Sequence, residues 1–323
     1  MKVNGGNGFA HTVPPSTYHG GGGSGGRLAV YFNRNRTYSG TFEAYGGRSG
    51  GVGASVGGAG TVFLYHKLYK HRTLQISNRG AGKVDGNQLK ITEWTDRQLD
   101  PSRTWVITDS AHRLAKDLNY HFEELQLNND AHLAFHSKYS NSTVSIYFRH
   151  MIGDRSGTLH IGGNQSMDLN RAEIDLPFTV RVYKQGHIGL APMTFVHGVK
   201  IYNHGLITRL LNITLHHGGE IYFYEESRAG NSSLPNDYVF NTIRAQAGGL
   251  VRFVSSPVTH TGMNLTTTTL YIEGGGKLLA NDIRVLSVYL VVDSGGHFSS
   301  DGLGYKLSDG TGKRFSLRLK ALH

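Results

Sequence analysis

Residues 211–226 have the sequence Leu-Asn-Ile-Thr-Leu-His-His-Gly-Gly-Glu-Ile-Tyr-Phe-Tyr-Glu-Glu, two short apolar runs separated by the pair Gly218-Gly219. Apolar and polar residues alternate in both runs, and successive side chains of a strand point to opposite faces, so each run predicts a strand with one apolar face. A glycine pair supplies positive φ or a close backbone approach, which indicates a tight corner and not a linker. The residues predicted to face a core are Leu211, Ile213, Leu215, Ile221 and Phe223.

Similar units recur from Tyr120 onward, with corners about 24 residues apart on average. Short strands at such a period, with turn residues between them and little helical periodicity, predict a single-stranded right-handed parallel β-helix (β-solenoid). Strands at these intervals are also typical of a β-sandwich or jelly-roll pair, which stays open as the alternative fold. The predicted corners are Asn129, Gly163, Gly186, Gly205, Gly219, Gly249, Gly275 and Gly296.

Length and composition are consistent with a repeat fold. Single compact cores stop growing near roughly 250–300 residues, so 323 residues predict either two domains or an elongated repeat protein. Glycine is abundant at 44 residues but proline is scarce at 7, which argues against collagen or a disordered tract. We predict one continuous solenoid over 1–323, with a Gly-rich N-terminal segment at 1–26 and less regular coils at 66–120. The Gly-rich segment and a last strand at 314–319 are candidate caps for the open ends.

Three glycine-framed strands follow the N-terminal segment. Residues 23–32 are Gly-Ser-Gly-Gly-Arg-Leu-Ala-Val-Tyr-Phe, residues 38–47 are Tyr-Ser-Gly-Thr-Phe-Glu-Ala-Tyr-Gly-Gly, and residues 57–65 are Gly-Gly-Ala-Gly-Thr-Val-Phe-Leu-Tyr. This pattern, over 20–65, resembles glycine-framed β-solenoid modules of large extracellular repeat proteins and adhesins. The resemblance implies a β-solenoid at a cell surface or in a matrix and assigns no functional residue.

Six Asn-x-Ser/Thr sequons are candidate glycosylation sites of an extracellular protein. No run reaches the ~18 consecutive apolar residues that span a bilayer, so we expect a soluble protein without membrane insertion. The expected location is extracellular, as a secreted protein or as the ectodomain of a larger one. The absence of cysteine leaves the redox compartment open. The sequons begin at Asn35, Asn141, Asn164, Asn212, Asn231 and Asn264.

The net charge of +10 favours polyanionic partners. Two basic groups stand out, one at 66–72 and one in the last predicted strand, where period 2 places its cations on one face. Lys and Arg at an exposed end strand also prevent edge pairing, and this explanation of the same charges stays open. The expected partner is an acidic polysaccharide or a neighbouring matrix or cell-surface protein, and not nucleic acid. The candidate polyanion-binding residues are Lys67, Lys70, Arg72, Arg314, Arg318 and Lys320.

A carbohydrate-active enzyme on the same fold, either a polysaccharide lyase or a glycoside hydrolase, is the alternative function. Such enzymes need clustered carboxylates, as acid and base or as Ca²⁺ ligands, and the chain has no Asp-Asp, Asp-x-Asp or Gly-His-Gly sequence. We therefore assign no catalytic residue and favour a non-enzymatic structural or adhesive module that contacts acidic glycans. Acids that different coils bring together in the enzyme alternative are Glu225, Glu226, Asp237, Glu273, Asp282, Asp293 and Asp301.

Histidine is frequent, with 18 residues, many of them near predicted corners. The His-Glu-x-x-His spacing of zinc sites is absent and there is no cysteine ligand, so these histidines are predicted to be surface or stacked residues without a metal. The glycines at 20–26 precede a strand, whereas a phosphate-binding loop precedes a helix, so no nucleotide or other cofactor is expected. The histidines considered are His66, His71, His121, His132, His136, His197, His204, His216 and His217.

Overall fold

The protein is all-β in a computed structural model, and the described residues contain no helix that is long and apolar enough to span a bilayer. The structure describes residues 1–13, 16–34, 39–51, 54, 56–78, 104–108, 117–137, 143–162, 165–169, 175–190, 193–255, 262–280, 282–299 and 318–321.

The strands in the described residues are β1 (Ala10–Val13), β2 (Ser16–His19), β3 (Arg27–Phe32), β4 (Thr61–His66), β5 (His71–Ser77), β6 (Thr104–Thr108), β7 (Asp117–Asn128), β8 (His132–Ser137), β9 (Thr143–Gly153), β10 (Thr158–Ile161), β11 (Gln165–Leu169), β12 (Thr179–Val182), β13 (His187–Gly189), β14 (Met193–His197), β15 (Lys200–Asn203), β16 (Leu206–Thr208), β17 (Asn212–His216), β18 (Glu220–Tyr224), β19 (Arg228–Gly230), β20 (Asp237–Ala245), β21 (Leu250–Val254), β22 (Met263–Ile272), β23 (Lys277–Ala280), β24 (Ile283–Val292), β25 (His297–Ser299) and β26 (Arg318–Ala321).

The chain divides into two compact units. Unit 1 comprises Met1–Asn170 with Pro177–Thr179, and unit 2 comprises Arg171–Leu176 with Val180–His323. Unit 1 contains two larger sheets, named sheets A and B, and the two-stranded antiparallel sheet β1–β2. Unit 2 contains two sheets, named sheets C and D.

Unit 1 has sheet A, in the order β11-β9-β7-β5-β4-β3, and sheet B, in the order β10-β8-β6. Within sheets A and B the recorded strand pairs are parallel except for β4 and β5, which form an antiparallel hairpin. This hairpin reverses the chain at residues 67–70, and its turn and second strand fall within 66–120, the region predicted to be less regular. Residues 79–103 and 109–116 of that region lie outside the described residues.

Glycine-rich segments of unit 1 lie side by side outside any strand and are joined by backbone hydrogen bonds. The amide of Gly5 donates to the carbonyl of Tyr45, Gly23 donates to Gly6, and Gly47 donates to Gly23, each at 2.8 Å. A Cβ on Gly47 would lie 1.9 Å from the Gly6 carbonyl oxygen, so only glycine fits, as at every third position of collagen. The spacing of three recurs at Gly5 and Gly8, Gly20, Gly23 and Gly26, Gly47 and Gly50, and Gly57 and Gly60.

We name these segments, at residues 5–8, 20–26, 47–50 and 57–60, the glycine bundle. One strand predicted beside them is not formed. The segment 38–45 was expected to be the second glycine-framed strand, but its described part, 39–45, contains only an isolated parallel bridge between Glu43 and Lys2. The glycine segments contact one another through their backbones at every third residue. These contacts take the place of strand pairing in a sheet. The other two predicted strands, β3 and β4, are confirmed and pair in parallel.

Unit 2 consists of two sheets whose recorded strand pairs are parallel. Sheet C has the order β12-β15-β18-β21-β23-β25. Sheet D begins with the order β26-β24-β22-β20. At β20 the sheet divides into two rows. One row has the order β20-β17-β14, and the other has the order β20-β19-β16-β13. The sandwich alternative predicts antiparallel neighbours, so its pairing differs from that observed.

The core of unit 2 is formed by columns of apolar side chains, because parallel pairing places matching positions of successive strands beside one another. Ile213, Leu215, Ile221 and Phe223 are at most 1% exposed, which confirms their predicted burial. Two inward columns of sheet C contain Val180, Ile201, Ile221, Val251 and Leu278, and Val182, Asn203, Phe223, Phe253 and Ala280.

Leu211 was predicted to share this inward face, and that prediction is wrong. Strand β17 begins one residue later, Leu211 is partly exposed, and Leu210 is fully buried in its place. Arg209 has a φ of 63°, so the chain turns just before the strand and the alternation does not extend back to Leu211.

The Gly218-Gly219 pair forms the predicted corner, and a different constraint requires glycine at each of the two positions. Gly218 has a φ of 78°, and His217 before it has a φ of 46°. A Cβ on Gly219 would lie 1.9 Å from the carbonyl oxygen of Val196 on the adjacent coil, and the Gly219 amide donates to His216 at 2.8 Å. Strands β17 and β18 therefore belong to different sheets and do not form a hairpin. Matching turns precede later strands of sheet C at Gly248-Gly249, Gly275-Gly276 and Gly295-Gly296.

The corner residues predicted from the sequence belong to two different kinds of turn. Gly186 and Gly205 lie where the chain leaves sheet C, whereas Gly219 lies where the chain enters it. The true repeat is given by paired core residues of β15, β18 and β21: Ile201 pairs with Ile221, 20 positions later, and Ile221 pairs with Val251, 30 positions later. Coil length is therefore variable, and an average spacing does not describe it.

Candidate functional site

The face of sheet C opposite its core carries columns of aromatic and basic side chains. Strand register aligns Arg181, Tyr202, Tyr222 and Arg252 in one column. These side chains lie outward because their neighbours along each strand are the buried core residues. We name this surface the tyrosine–arginine face and define it by Arg181, Tyr202, His204, Tyr222, Tyr224 and Arg252.

The rings of this face are stacked from strand to strand. The Tyr202 and Tyr222 rings lie 4.9 Å apart between centroids at an angle of 14°, and those of His204 and Tyr224 lie 3.7 Å apart at 15°. The Arg181 guanidinium carbon lies 4.0 Å from the Tyr202 ring centroid, in cation–π geometry. The result is a layered surface of π systems that is capped at one end by a guanidinium group.

Polar groups line the edge of the column. Lys200 Nζ lies 2.8 Å from Glu220 Oε2, and the Tyr222 hydroxyl donates to the same oxygen at 2.5 Å. The Nε atom of Arg252 is buried and makes no hydrogen bond within the described residues. A buried guanidinium donor without an acceptor is costly, and an anionic ligand oxygen would satisfy it.

The protonation states of this face follow from burial. Burial raises the pKa of Tyr222 and of Tyr224, and for Tyr222 the hydrogen bond to Glu220 adds to the effect. Burial, together with the positive charges of Arg181 and Lys184, lowers the pKa of His204 to about 4. At neutral pH Tyr222 and Tyr224 are therefore protonated and His204 is neutral, so the arginines provide the positive charge of the face.

This arrangement is suited chemically to ligands that bear carboxylate or sulfate groups. The tyrosine rings stack face to face, so the column offers a ligand the edges and hydroxyl groups of these rings. Arginine forms paired hydrogen bonds to carboxylate or sulfate oxygens, and its planar group stacks on aromatic rings at the same time.

A second grouping consists of three histidines at the turn before sheet C. His197 ends β14 and His216 ends β17, and these residues are paired in register, while His217 follows in the turn. The His197 ring is 5.0 Å from the His216 ring at 16° and 5.2 Å from the His217 ring at 18°. We name this group the histidine corner. The predicted stacking of these histidines is confirmed.

The histidine corner has an acidic neighbour. His197 Nδ1 lies 3.4 Å from Asp175 Oδ2, and the strand partner of Asp175 is Phe195. Burial lowers the pKa of His216, and the neighbouring His197 and His217 add to this effect. One nitrogen atom from each of the three imidazoles lies within 4.8 Å of the others. Among the described residues, this is the one group of three or more His, Asp or Glu residues close enough to share a metal ion.

Other histidines considered in the sequence also lie beside aromatic rings, and His121 is the stacked one of the three examples that follow. The His121 ring lies on Tyr147 at 4.5 Å and 6°, and the ring of His66 is 4.5 Å from Tyr69. His132 Nδ1 lies 3.1 Å from Nε2 of His160.

Three of the six predicted glycosylation sites lie in the described residues. Asn212 begins β17 on its outward side, and Asn231 is exposed in the turn after β19. Asn264 is exposed on β22, and its amide donates to Asp237 Oδ1 at 2.7 Å. The sites outside the described residues are Asn35, Asn141 and Asn164.

The cations of the first basic group, in unit 1, have different environments. Lys67 and Lys70 are exposed in the β4–β5 turn, next to Tyr69, which is 74% exposed. Arg72 instead lies 3.8 Å from Glu123 Oε1 and 5.6 Å from the Tyr65 ring, so its charge is partly compensated.

The second basic group, in unit 2, lies partly in β26. The register pairs Arg318 with Arg284 and Lys320 with Leu286 on β24. Arg284 is exposed and adds a cation that was not predicted. Arg314 lies outside the described residues.

Four of the seven acids considered for catalysis have separate side-chain partners in the described residues. Glu226 lies 2.9 Å from Lys184 Nζ, and Asp293 accepts the Tyr271 hydroxyl at 2.7 Å. Glu273 forms an ion pair with Arg244 at 2.5 Å. Asp237 accepts a hydrogen bond from the side-chain amide of Asn264. The backbone amide of Glu225 donates to the Val254 carbonyl. Asp282 is exposed, and Asp301 lies outside the described residues.

Sequence reasoning missed both the tyrosine–arginine face and the histidine corner as groups. Their members lie on different coils, at offsets such as 20 between Tyr202 and Tyr222 and 30 between Tyr222 and Arg252. A usable signal was the aromatic pair Tyr222 and Tyr224 at outward positions beside the buried Phe223.

No protein-family model, curated protein or solved structure matches the chain. The chemistry of the two groups therefore has to be inferred from their own geometry.

Proposed function

We propose that this chain is a right-handed, single-stranded parallel β-helix that acts as an extracellular structural or adhesive module and contacts acidic glycans through the tyrosine–arginine face. The parallel pairing and the alternation of the chain between two sheets support the fold. We further propose one continuous solenoid over 1–323, related to the glycine-framed extracellular modules that residues 20–65 resemble.

The column of Arg181, Tyr202, Tyr222 and Arg252 is the observation that carries the proposal. It combines two stacked tyrosines with a guanidinium at each end, and the Arg252 Nε donor has no acceptor in the described residues. A sugar that lies along the outer edge of the stacked tyrosines brings its carboxylate or sulfate within reach of these arginines.

A polymer fits the face better than a single sugar does. The column crosses the strands, so successive side chains follow one another at the strand spacing of about 4.8 Å. A polysaccharide laid along the column makes one set of contacts per coil, and its affinity therefore rises with the number of sugars that it presents.

The basic groups add a second, less specific attraction. Lys67, Lys70 and Arg72 in unit 1, and Arg314, Arg318 and Lys320 with Arg284 in unit 2, provide positive charge that steers a polyanion to the protein. Exposed ion pairs are individually worth only about 0–1 kcal/mol, so specificity belongs to the stacked column and not to these lysines and arginines.

An extracellular location accords with the sequons. Asn231 and Asn264 are exposed, and Asn212 lies on an outward strand position. Glu226, Asp237, Glu273 and Asp293 each have a separate side-chain partner, which favours a binding role over hydrolysis or elimination. A neighbouring matrix or cell-surface protein with attached acidic glycans would present the same ligand chemistry.

The test is binding of the full chain to immobilised heparin, polygalacturonate and neutral dextran, followed by a length series of uronic-acid oligosaccharides. We expect binding to the two acidic polymers, increasing with oligosaccharide length, and lower affinity by about five- to tenfold for Tyr222→Ala. Arg252→Ser should weaken the acidic ligands more than dextran.

Tyr289→Ala is the matched control, since Tyr289 is 63% exposed on β24 of sheet D, away from the column. Equal losses for Tyr222→Ala and Tyr289→Ala, or no binding to either acidic polymer, would overturn the proposal. Release of reducing ends or unsaturated sugars by the parent chain would instead establish the enzyme alternative.

A further inference from the structure

We propose that the histidine corner binds a first-row transition-metal ion that prefers imidazole ligands, such as Zn²⁺, through His197, His216 and His217. This inference concerns the turn before sheet C and does not depend on glycan binding at the tyrosine–arginine face.

Strand pairing and turn geometry bring the three ligands together. Register places His216 beside His197, and the φ of 46° at His217 directs the chain back into the corner. The three ligand nitrogens already lie within 4.8 Å of one another. Zinc–nitrogen bonds of about 2.0–2.1 Å require ligand nitrogens roughly 3.4 Å apart in a tetrahedral site. His217 is exposed and His216 is half-exposed, so side-chain rotation can close this difference.

Asp175 provides the outer contact that histidine ligands usually have. Its Oδ2 atom lies 3.4 Å from Nδ1 of His197. Nδ1 of His197 is buried and makes no hydrogen bond within the described residues, so the carboxylate has to approach slightly to accept its proton. A carboxylate at this nitrogen then holds the proton on Nδ1 and leaves the Nε2 lone pair for the metal, as in carboxylate–histidine–zinc arrangements. Asp175 is therefore a positioning residue and not a metal ligand in this proposal.

The ligand set selects the class of metal. Three neutral imidazoles suit zinc, copper, nickel or cobalt, whereas Ca²⁺ and Mg²⁺ prefer oxygen ligands. Three protein ligands leave the fourth tetrahedral position to water, as in open zinc sites. His217 is exposed, so this fourth position faces solvent and the ion has an entry path.

The test uses the metal-free full chain, titrated with ZnCl₂ in a calorimeter and with CoCl₂ in a visible spectrometer. We expect one Zn²⁺ per chain above the background of surface histidines, and the intense visible bands of tetrahedral cobalt. Calcium chloride at the same concentration should give neither response.

The variants separate ligands from other histidines. His217→Asn removes one imidazole and keeps a residue that tolerates positive φ, so the turn is retained. Asp175→Asn should weaken zinc binding by about 10- to 100-fold, and His217→Asn should weaken it at least as much. His297→Asn is the matched control, because His297 is exposed on β25 of the same unit, and it should leave the affinity unchanged.

His216→Gln is a second ligand variant, and circular dichroism of every variant verifies folding. The proposal is overturned if the parent shows no tetrahedral cobalt spectrum. It is equally overturned if folded His217→Asn and His216→Gln proteins bind zinc as tightly as His297→Asn.

Discussion

The imidazole of His204 lies flat on the ring of Tyr224, with 3.7 Å between centroids and 15° between planes. The backbone amide of His204 donates to Val182 at 2.8 Å, which fixes the ring at the exit from sheet C. Burial and the charges of Arg181 and Lys184 lower its pKa to about 4, so the folded protein resists protonation that the unfolded chain accepts near pH 6.5.

This pKa shift predicts a loss of stability in acid. The contribution of His204 is fully present above pH ~6.5 and is lost as the pH falls toward about 4, because the unfolded chain binds the proton first. We expect the urea midpoint to fall between pH 7.5 and pH 5, and to fall less in His204→Phe, which keeps a ring on Tyr224. Equal decreases in parent and variant would assign the acid sensitivity to other groups.

Core burial predicts a large effect for Phe223 and a small one for its neighbour. Phe223 is fully buried and stacks on Phe253 at 5.2 Å, so Phe223→Ala should lower the free energy of unfolding by about 3–5 kcal/mol. Tyr222→Ala, on the outward face of the same strand, should cost clearly less. Denaturant unfolding measures both, and a cost under about 1 kcal/mol for Phe223→Ala would contradict its place in the core.

The glycine bundle offers a comparison of adjacent residues. A Cβ on Gly5 would lie 2.0 Å from the Gly23 carbonyl oxygen, whereas a Cβ on Gly6 would meet nothing within 4 Å. Gly5→Ala should therefore separate the segments of unit 1 and increase proteolysis there, while Gly6→Ala should behave as the parent. Similar protease sensitivity of the two variants would show that the close approach is unimportant.

Glycosylation is predicted for the secreted protein. Asn231 is exposed in a turn and should be occupied, and the outward Asn212 and Asn264 have room for a glycan. An amide-cleaving glycosidase should lower the mass of the protein from a eukaryotic secretion host, and Asn231→Gln should remove part of that loss. An unchanged mass would remove the main support for an extracellular location.

The cation row of the last strand predicts steep salt dependence. The Debye length falls from about 10 Å at 0.1 M to about 3 Å at 1 M salt, so heparin binding through Arg314, Arg318 and Lys320 should weaken with salt. Single changes to serine should weaken binding slightly, and the triple change should abolish this salt-sensitive component. If the folded triple variant binds as tightly as the parent, the charges serve to protect the strand edge.

The alternation of apolar and polar residues was enough to predict which side chains of β17 and β18 face inward, because this pattern depends only on the local sequence. Ile213, Leu215, Ile221 and Phe223 are buried as expected. The prediction for Leu211 failed because the chain turns at Arg209, which has a positive φ, and β17 begins only at Asn212; this backbone conformation has no clear sequence signature for arginine.

The candidate sites depended on distant pairing and were missed for that reason. His197 meets His216 only because β14 and β17 pair in register, and Tyr202 meets Tyr222 through a different pair of strands. The offset between coils changes along the chain, so no fixed period aligns these residues. The glycine bundle was missed because glycine every third residue was interpreted as framing for strands.

The unequal offsets also make the chain a scaffold for displaying foreign peptides. Strand β18 pairs with β15 after 20 positions and with β21 after 30, yet the core columns of sheet C stay aligned. The additional residues include the turn around Leu234, which is 60% exposed. A peptide grafted at this turn lengthens the connection between two strands and leaves the strand pairing of sheet C unchanged. An antibody epitope or affinity tag placed there would therefore be presented to solvent.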